Sequence, residues 1–220
     1  MTVPPTPPSV MTAQQVRDAE KAAMRTVSES TLMARAADAV AAECESLLAQ
    51  RLGRTWGAHV VVLAGSGNNG GDALLAGARL HYRGAQTTAV LVGSTAHKMG
   101  RGECEAAGAR VIEASSGEDS AALEAIGRAD LVIDGIVGVG AKPGLRAPAD
   151  ALVAAIPASA AVVAVDLPSG LDVDSGSADA PHVHADVTVT FTAPKPCLVE
   201  QPAAASAGRV VVAQVGVPRR

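Results

Sequence analysis

The chain has 220 residues, 48% of them apolar and 18% charged, which is enough apolar material for a substantial core and excludes global disorder. A net charge of −4 and an aromatic set of one Trp, one Tyr and one Phe supply neither a basic surface nor stacking platforms for nucleic acid. No run approaches the roughly 18 consecutive apolar residues of a membrane span, and the scattered Cys44, Cys104 and Cys197 fit a reducing cytoplasm better than a disulfide framework.

The first ten residues, MTVPPTPPSV, read as a disordered leader, and residues 11–220 as a single domain. TAQQVRDAEKAAMRT predicts a helix with Thr12 and Gln15 placed for a capping box. TLMARAADAVAAECESLLAQRLG predicts a second, stopped by Gly53. From AHVVVLAG onward the chain alternates. Strands are expected at 58–65, 86–93, 109–114, 130–138 and 160–170, and helices at 72–84, 96–108, 118–129 and 148–158. Two further strands, in ADVTVTFTAPKP and GRVVVAQVGV, have less helix between them and are expected to extend the sheet at one edge. Continuous Val/Ile/Leu strands alternating with helices mean an α/β fold: a three-layer sandwich, Rossmann-like, with a mainly parallel central sheet and two N-terminal helices. In such sheets ligands bind outside the carboxyl ends of the strands.

The loop after the first strand, GSGNNGGD, matches G-x-G-x-x-G at Gly65, Gly67 and Gly70. A dinucleotide cradle also wants an acid at the end of the second strand, and AVLVGSTA has none. Asp72, read as standing at the helix N-terminus, would repel a pyrophosphate docked there. The loop instead offers oxygens from Asn68, Asn69 and Asp72. Asp134 ends LVID, and Asp166 and Ser169 sit in VDLPSG. Amide, carboxylate and hydroxyl oxygens without His or Cys suit a hard cation or a polyhydroxylated ligand. Taken singly, Asp72 also reads as a helix cap, and Asp134 and Asp166 as caps of strand-end turns. His182 and His184 form a short H-x-H without a third ligand, a weak metal candidate.

AGSGNNGGDALLAGARL, DLVIDGIVGVGAKPGLRAP, AVDLPSGLDVDSG and FTAPKPCL, in this order, resemble the NAD(P)H-hydrate epimerases, the YjeF N-terminal-domain family; MTAQQVRDAE and LMARAA echo its N-terminal signatures. The resemblance implies a Rossmann-like domain without hydride transfer, which interconverts the (R) and (S) forms of hydrated NADH or NADPH at C6 so that a dehydratase can repair them. Carried over by position, it implies that Asn68, Asn69, Gly70, Gly71 and Asp72 touch the hydrate. Asn69, Asp134 and Ser169 would help hold a potassium ion. Gly138, Val139, Gly140, Ala141, Lys142, Pro143 and Gly144 would contact phosphates or sugars, and Asp166 the hydrated ring. Ala73 stands where the family has glycine, Ala34 where a glutamate is common, and Cys197 where glycine often follows Lys-Pro.

Epimerisation needs a group that protonates the leaving hydroxyl and deprotonates the returning water. Asp166, at a strand's carboxyl end, is the expected acid/base. Lys195 either tunes Asp166, binds phosphate, or is an exposed lysine in a Pro-rich turn. Members of the family often form dimers, which makes a homodimer a candidate assembly. Many bacterial relatives continue into an ADP- or ATP-dependent dehydratase domain, so the functional partner is expected on a separate chain or in a missing C-terminal domain. Neither nucleic acid nor membrane is an expected partner. The competing reading is a non-catalytic ligand-binding or scaffold module of the same fold.

Overall fold

Seven short apolar runs become the strands of one parallel sheet. They are β1 (His59–Ala64), β2 (Gln86–Val92), β3 (Arg110–Ala114), β4 (Leu131–Gly135), β5 (Ala161–Val165), β6 (Val187–Phe191) and β7 (Arg209–Ala213). The computed structural model describes residues 9–93 and 95–217. Most of the expected leader, residues 1–8, lies outside the described residues. The strand order is β3-β2-β1-β4-β5-β6-β7, and every neighbouring pair is parallel. The chain runs outward from β1 to β3, then returns to lay β4 on the other side of β1. That reversal opens a crevice at the carboxyl ends of β1 and β4. β6 and β7 do extend the sheet at one edge.

Among the described residues six α-helices accompany the strands: α1 (Ala13–Ala23), α2 (Glu29–Leu52), α3 (Asn68–Tyr82), α4 (Lys98–Ala107), α5 (Ser120–Gly127) and α6 (Ala149–Ala154). α1 opens with the expected capping box: Gln15 N donates to Thr12 Oγ1 at 3.3 Å, and Thr12 N to Gln15 Oε1 at 2.8 Å. Ser28 caps α2, and Gly53, at φ +70°, ends it. The larger core lies between the sheet and α2, α3 and α4; Val40, Leu74, Val60, Ile133 and Val163 are among its members. A second core lies under α5 and α6, around Leu63, Val90, Ile126 and Leu152. No α-helix joins β5 to β6 or β6 to β7. Loops and two 3₁₀ turns, Pro196–Leu198 and Ala203–Ser206, cover that edge over a small cluster of Leu167, Leu171, Cys197 and Leu198.

One boundary departs from expectation in a way that matters. α3 begins at Asn68, not at Asp72, so NNGG is helix rather than loop. The first helical bond runs from Gly71 N to Gly67 O at 3.1 Å. Close approach explains it. A Cβ on Gly70 would lie 1.9 Å from Gly65 O, so only glycine lets this first turn press against the end of β1. Asp72 is therefore not the helix cap. That position is Gly67, and Asp72 stands in the second turn, facing inward with 6% exposure.

Candidate functional site

A cavity of about 500 Å³ opens at the carboxyl ends of β1, β4 and β5. Its apolar wall comes from Met24, Leu32, Met33, Phe191, Val215 and Val217. Its polar wall comes from Asn68, Asn69 and Asp72 of α3, Asp166 after β5, Glu20 of α1, Glu29 of α2, and the backbone of Gly138–Ala141 after β4. A larger hollow, about 820 Å³, lies at the amino ends of β5 and β6, away from all of these residues.

Asp166 is held in an unusual way. Its φ is +70°, and Leu167 N donates to Val165 O at 2.9 Å, which closes a left-handed γ-turn around it. Thr192, at the end of β6, repeats the geometry with φ +67° and Ala193 N donating to Phe191 O at 2.7 Å. Left-handed backbone in a non-glycine residue costs of order 1–3 kcal/mol, and more comfortably suits Asp than β-branched Thr. Two such turns side by side aim the strand ends rather than letting them relax.

Lys195 is completely buried, which removes the exposed-lysine alternative, and it does not line the cavity. Its ammonium donates to Asp166 Oδ1, to Thr190 Oγ1 at 2.8 Å and to Phe191 O at 3.1 Å. Thr190 Oγ1 also donates to Asp166 Oδ1 at 3.1 Å. All three ammonium protons are thus used behind Asp166, and none is left for a phosphate.

Asn69, Asp134 and Ser169 come together from α3, β4 and the loop after β5. Ser169 Oγ donates to Asp134 Oδ1 at 2.6 Å, and Ser169 N to Asp134 Oδ2 at 2.8 Å. Asn69 Nδ2 donates to Val137 O at 3.1 Å and Val165 O at 2.8 Å, and Val137 N donates to Ser169 Oγ at 3.0 Å. Gly138 leaves room for the amide: a Cβ there would sit 2.6 Å from Asn69 Cγ. Asp134 is wholly buried and makes no salt bridge among the described residues. Burial raises its carboxyl to about 6, against the lowering effect of hydrogen bonds from Ser169 and Ile136. The Asp134 carboxyl, the Ser169 hydroxyl and the Val137 and Val165 carbonyls put oxygens around a buried acid, a donor set that fits a hard monovalent cation.

The carboxyls of the cavity repel one another. Burial raises Asp72 well above the ordinary range, and Asp166 and Glu20 push it further. Among the described residues, Asp72 Oδ1 is buried without a hydrogen-bond partner. Glu20 is raised by burial first and then by Asp166, while Lys195 and Arg17 pull the other way. Sequence reading missed Glu20. The signal was there: Ala13, Val16, Glu20 and Ala23 recur at helical spacing, so a glutamate occupies the inward stripe of α1.

Several expected residues lie elsewhere. Gly70 and Gly71 are packed inside α3, with Gly71 against Met33 and His97, and do not line the cavity. Lys142, Pro143 and Gly144 also fall outside its lining; Gly144 N is tied to Gly170 O at 2.8 Å. His182 Nε2 and His184 Nδ1 both meet Ser206 Oγ, at 2.8 and 3.1 Å, and serve as a latch over the β6–β7 edge. Ala73 replaces a glycine without strain because Gly135, which faces its methyl, has no side chain.

Residues 29–197 match the family model of the YjeF-related protein N-terminus. The chain belongs to that family. The YjeF-related N-terminus is shared with the bifunctional NAD(P)H-hydrate repair enzyme Nnr of Mycobacterium tuberculosis, 39% identical over 204 residues, covering 92% of this chain and 40% of that protein. It is shared with the NAD(P)H-hydrate epimerase of Clavibacter michiganensis, 40% identical over 167 residues, 72% of this chain and 73% of that one. The chain therefore spans about two fifths of the length of the mycobacterial relatives it matches. The crystal structure of yeast ynu0 superimposes with a TM-score of 0.74 at 26% identity, over 86% of this chain and 82% of the yeast chain.

Proposed function

We propose that this chain interconverts the (R) and (S) hydrates of NADH and NADPH at C6 of the ring, with Asp166 exchanging protons with the hydroxyl that leaves and the water that returns. The observation that carries the reading is Asp166 itself: a carboxylate at a strand end, aimed by a strained turn into a cavity and braced from behind by a buried lysine. The relatives named as NAD(P)H-hydrate epimerases and repair enzymes support the same chemistry.

In this reading the hydrated ring lies against Asp166 and Asp72, and the apolar wall packs on its remaining carbons. The backbone of Gly138–Ala141 meets the sugar or phosphates. The nitrogen beside C6 shares its lone pair as the hydroxyl departs, leaving a planar cation that water attacks on either face. Lys195 keeps Asp166 in place rather than touching the substrate. Asn69, Asp134 and Ser169 would hold a potassium ion, which would offset the buried charge of Asp134. The product feeds an ADP- or ATP-dependent dehydratase, and the three buried thiols fit the reducing cytoplasm where both would work.

The test is to incubate the protein and potassium with purified (R)-hydrate and follow the (S) form by chromatography, with hydride transfer measured in parallel. Conversion without hydride transfer is expected. Tight binding without conversion points instead to a scaffold module.

A further inference from the structure

We propose that Glu20 is a second proton-transfer group of this cavity, working in turn with Asp166. The inference rests on the epimerase reading above and divides its two proton transfers between two elements: in the (R)-to-(S) direction Glu20 protonates the leaving hydroxyl and Asp166 takes the proton of the returning water.

Three contacts fix where Glu20 stands. Met11 N donates to Pro194 O at 2.9 Å, Ala13 N to Asp174 Oδ1 at 2.7 Å, and Arg17 Nη1 to Val139 O at 3.2 Å. These bonds tie α1 and Met11, just ahead of its cap, across the loops that follow β4, β5 and β6. The buried stripe of α1 then brings Glu20 into the cavity wall. No hydrogen bond or ion pair among the described residues engages its carboxyl, so it is free to meet a ligand. Asp166, in contrast, is paired with Lys195. The charged groups acting on Glu20 are Asp166, Lys195 and Arg17, and Glu20 in turn acts on Asp72, which Glu29 also faces. Arg17 is occupied with Val139 O and Gln14. Burial and the Asp166 charge raise the Glu20 carboxyl. One carboxyl kept toward the protonated form and another paired with a cation, across one cavity, is how an acid and a base are told apart.

The steps balance as follows. The Glu20 proton passes to the C6 hydroxyl oxygen. The C6–O bond breaks with its electron pair, water leaves, and the ring-nitrogen lone pair becomes the C6=N bond. A water then forms the new C6–O bond, the C=N pair returns to nitrogen, and the water's proton passes to the Asp166 carboxylate. The enzyme so left, protonated on Asp166 and ionised on Glu20, is the form that processes the opposite epimer. Solvent returns the proton between turnovers.

The test compares wild type, Glu20→Gln and Glu20→Asp for (R)-to-(S) conversion between pH 5 and 9, corrected for spontaneous epimerisation. Glu20→Gln is expected to lower kcat ~10²-fold or more with KM within about threefold, as expected for a group acting in the transition state. Wild-type kcat should fall as pH rises through the raised Glu20 pKa, and the residual activity of Glu20→Gln should lack that fall. Glu20→Asp should recover at least about tenfold of the loss, since the acid is restored. An active wild type with Glu20→Gln within about threefold of it overturns the proposal and leaves the epimerase reading standing. Gln and Asp variants equally slow, with the wild-type pH profile, assign Glu20 to packing and overturn it too. A wild type that does not epimerise overturns the reading beneath it.

Discussion

The Asp166–Lys195 pair shows how one residue's burial fixes another's role. A fully buried ammonium is tolerated only when its charge and all its donors are met, and Asp166, Thr190 and Phe191 O meet them. Lys195→Met removes the cation and leaves the carboxylate in a desolvated wall, at a cost of about 3–5 kcal/mol. For a chain of this length that is on the order of 10 °C in Tm. Adding Asp166→Asn removes the stranded charge, and Asn accepts the left-handed backbone, so the double variant should melt above Lys195→Met alone. Thermal melts of the four proteins check the cycle, and a double variant no more stable than Lys195→Met contradicts it. Asp134 gives a second residue-scale prediction. Its carboxyl is raised from 3.8 to about 6, so the folded state holds the proton more tightly than the unfolded chain. The resulting stability is fully present below pH 3.8 and is lost as pH rises through about 6. A cation beside Asp134 offsets that loss. Potassium, against choline, should therefore raise Tm more at pH 8 than at pH 4, and Asp134→Asn should abolish the difference. The sequence made Asp134, Asp166 and Ser169 legible because acids and hydroxyls at the ends of buried strands are conspicuous. It left Lys195 open between three roles, because a lysine in Pro-rich sequence gives no sign of its burial. Glu20 was hidden by being one of two acids, with Asp18, on a mostly polar helix.

At the scale of the element, α3 decides the site. Its first turn contains two asparagines and two glycines, all poor helix formers, and propensity alone places the start at Asp72. Tertiary contact wins. Gly65 packs on Ile136, where a Cβ would meet the carbonyl oxygen at 1.9 Å, and Gly70 packs on Gly65 equally closely. These glycines bring β1, β4 and α3 together, and so place Asn69 beside Val137 O and Val165 O. Gly70→Ala must force backbone from backbone, which costs roughly 1–3 kcal/mol or more and should separate Asn69 from Asp134 and Ser169. Gly67→Ala is the matched control: φ is −86° and nothing lies within 4 Å of the added methyl. Denaturant unfolding should find Gly67→Ala within about 0.5 kcal/mol of wild type and Gly70→Ala well below it. Equal stability of the two would contradict close approach as the reason for Gly70. The glycine pattern was legible, but its meaning was not: spacing shows where the backbone is free, not what it is pressed against.

Across the whole molecule, the alternation of apolar runs and helices foretold the parallel sheet, and the missing helices after β5 foretold the extended edge. The order β3-β2-β1-β4-β5-β6-β7 puts loops from far-apart segments over one crevice, and α1 crosses the same loop ends. The cavity they enclose is lined by four carboxyls, Glu20, Glu29, Asp72 and Asp166, the last braced from behind by Lys195. The fold resembles dinucleotide-binding sheets, yet α3 offers two amides in its first turn and an acid in its second where a pyrophosphate cradle would keep bare backbone. Such a cavity suits a ring passing through a cation. The most direct measurement of that claim is incubation of the (R)-hydrate with the protein in ¹⁸O-labelled water, with conversion and label both read by mass spectrometry. Proton-assisted loss and return of the C6 hydroxyl predicts (S) product carrying solvent oxygen, formed well above the spontaneous rate by wild type and ~10²-fold or more slowly by Asp166→Asn. No conversion above the spontaneous rate, or (S) product without the label, would contradict it.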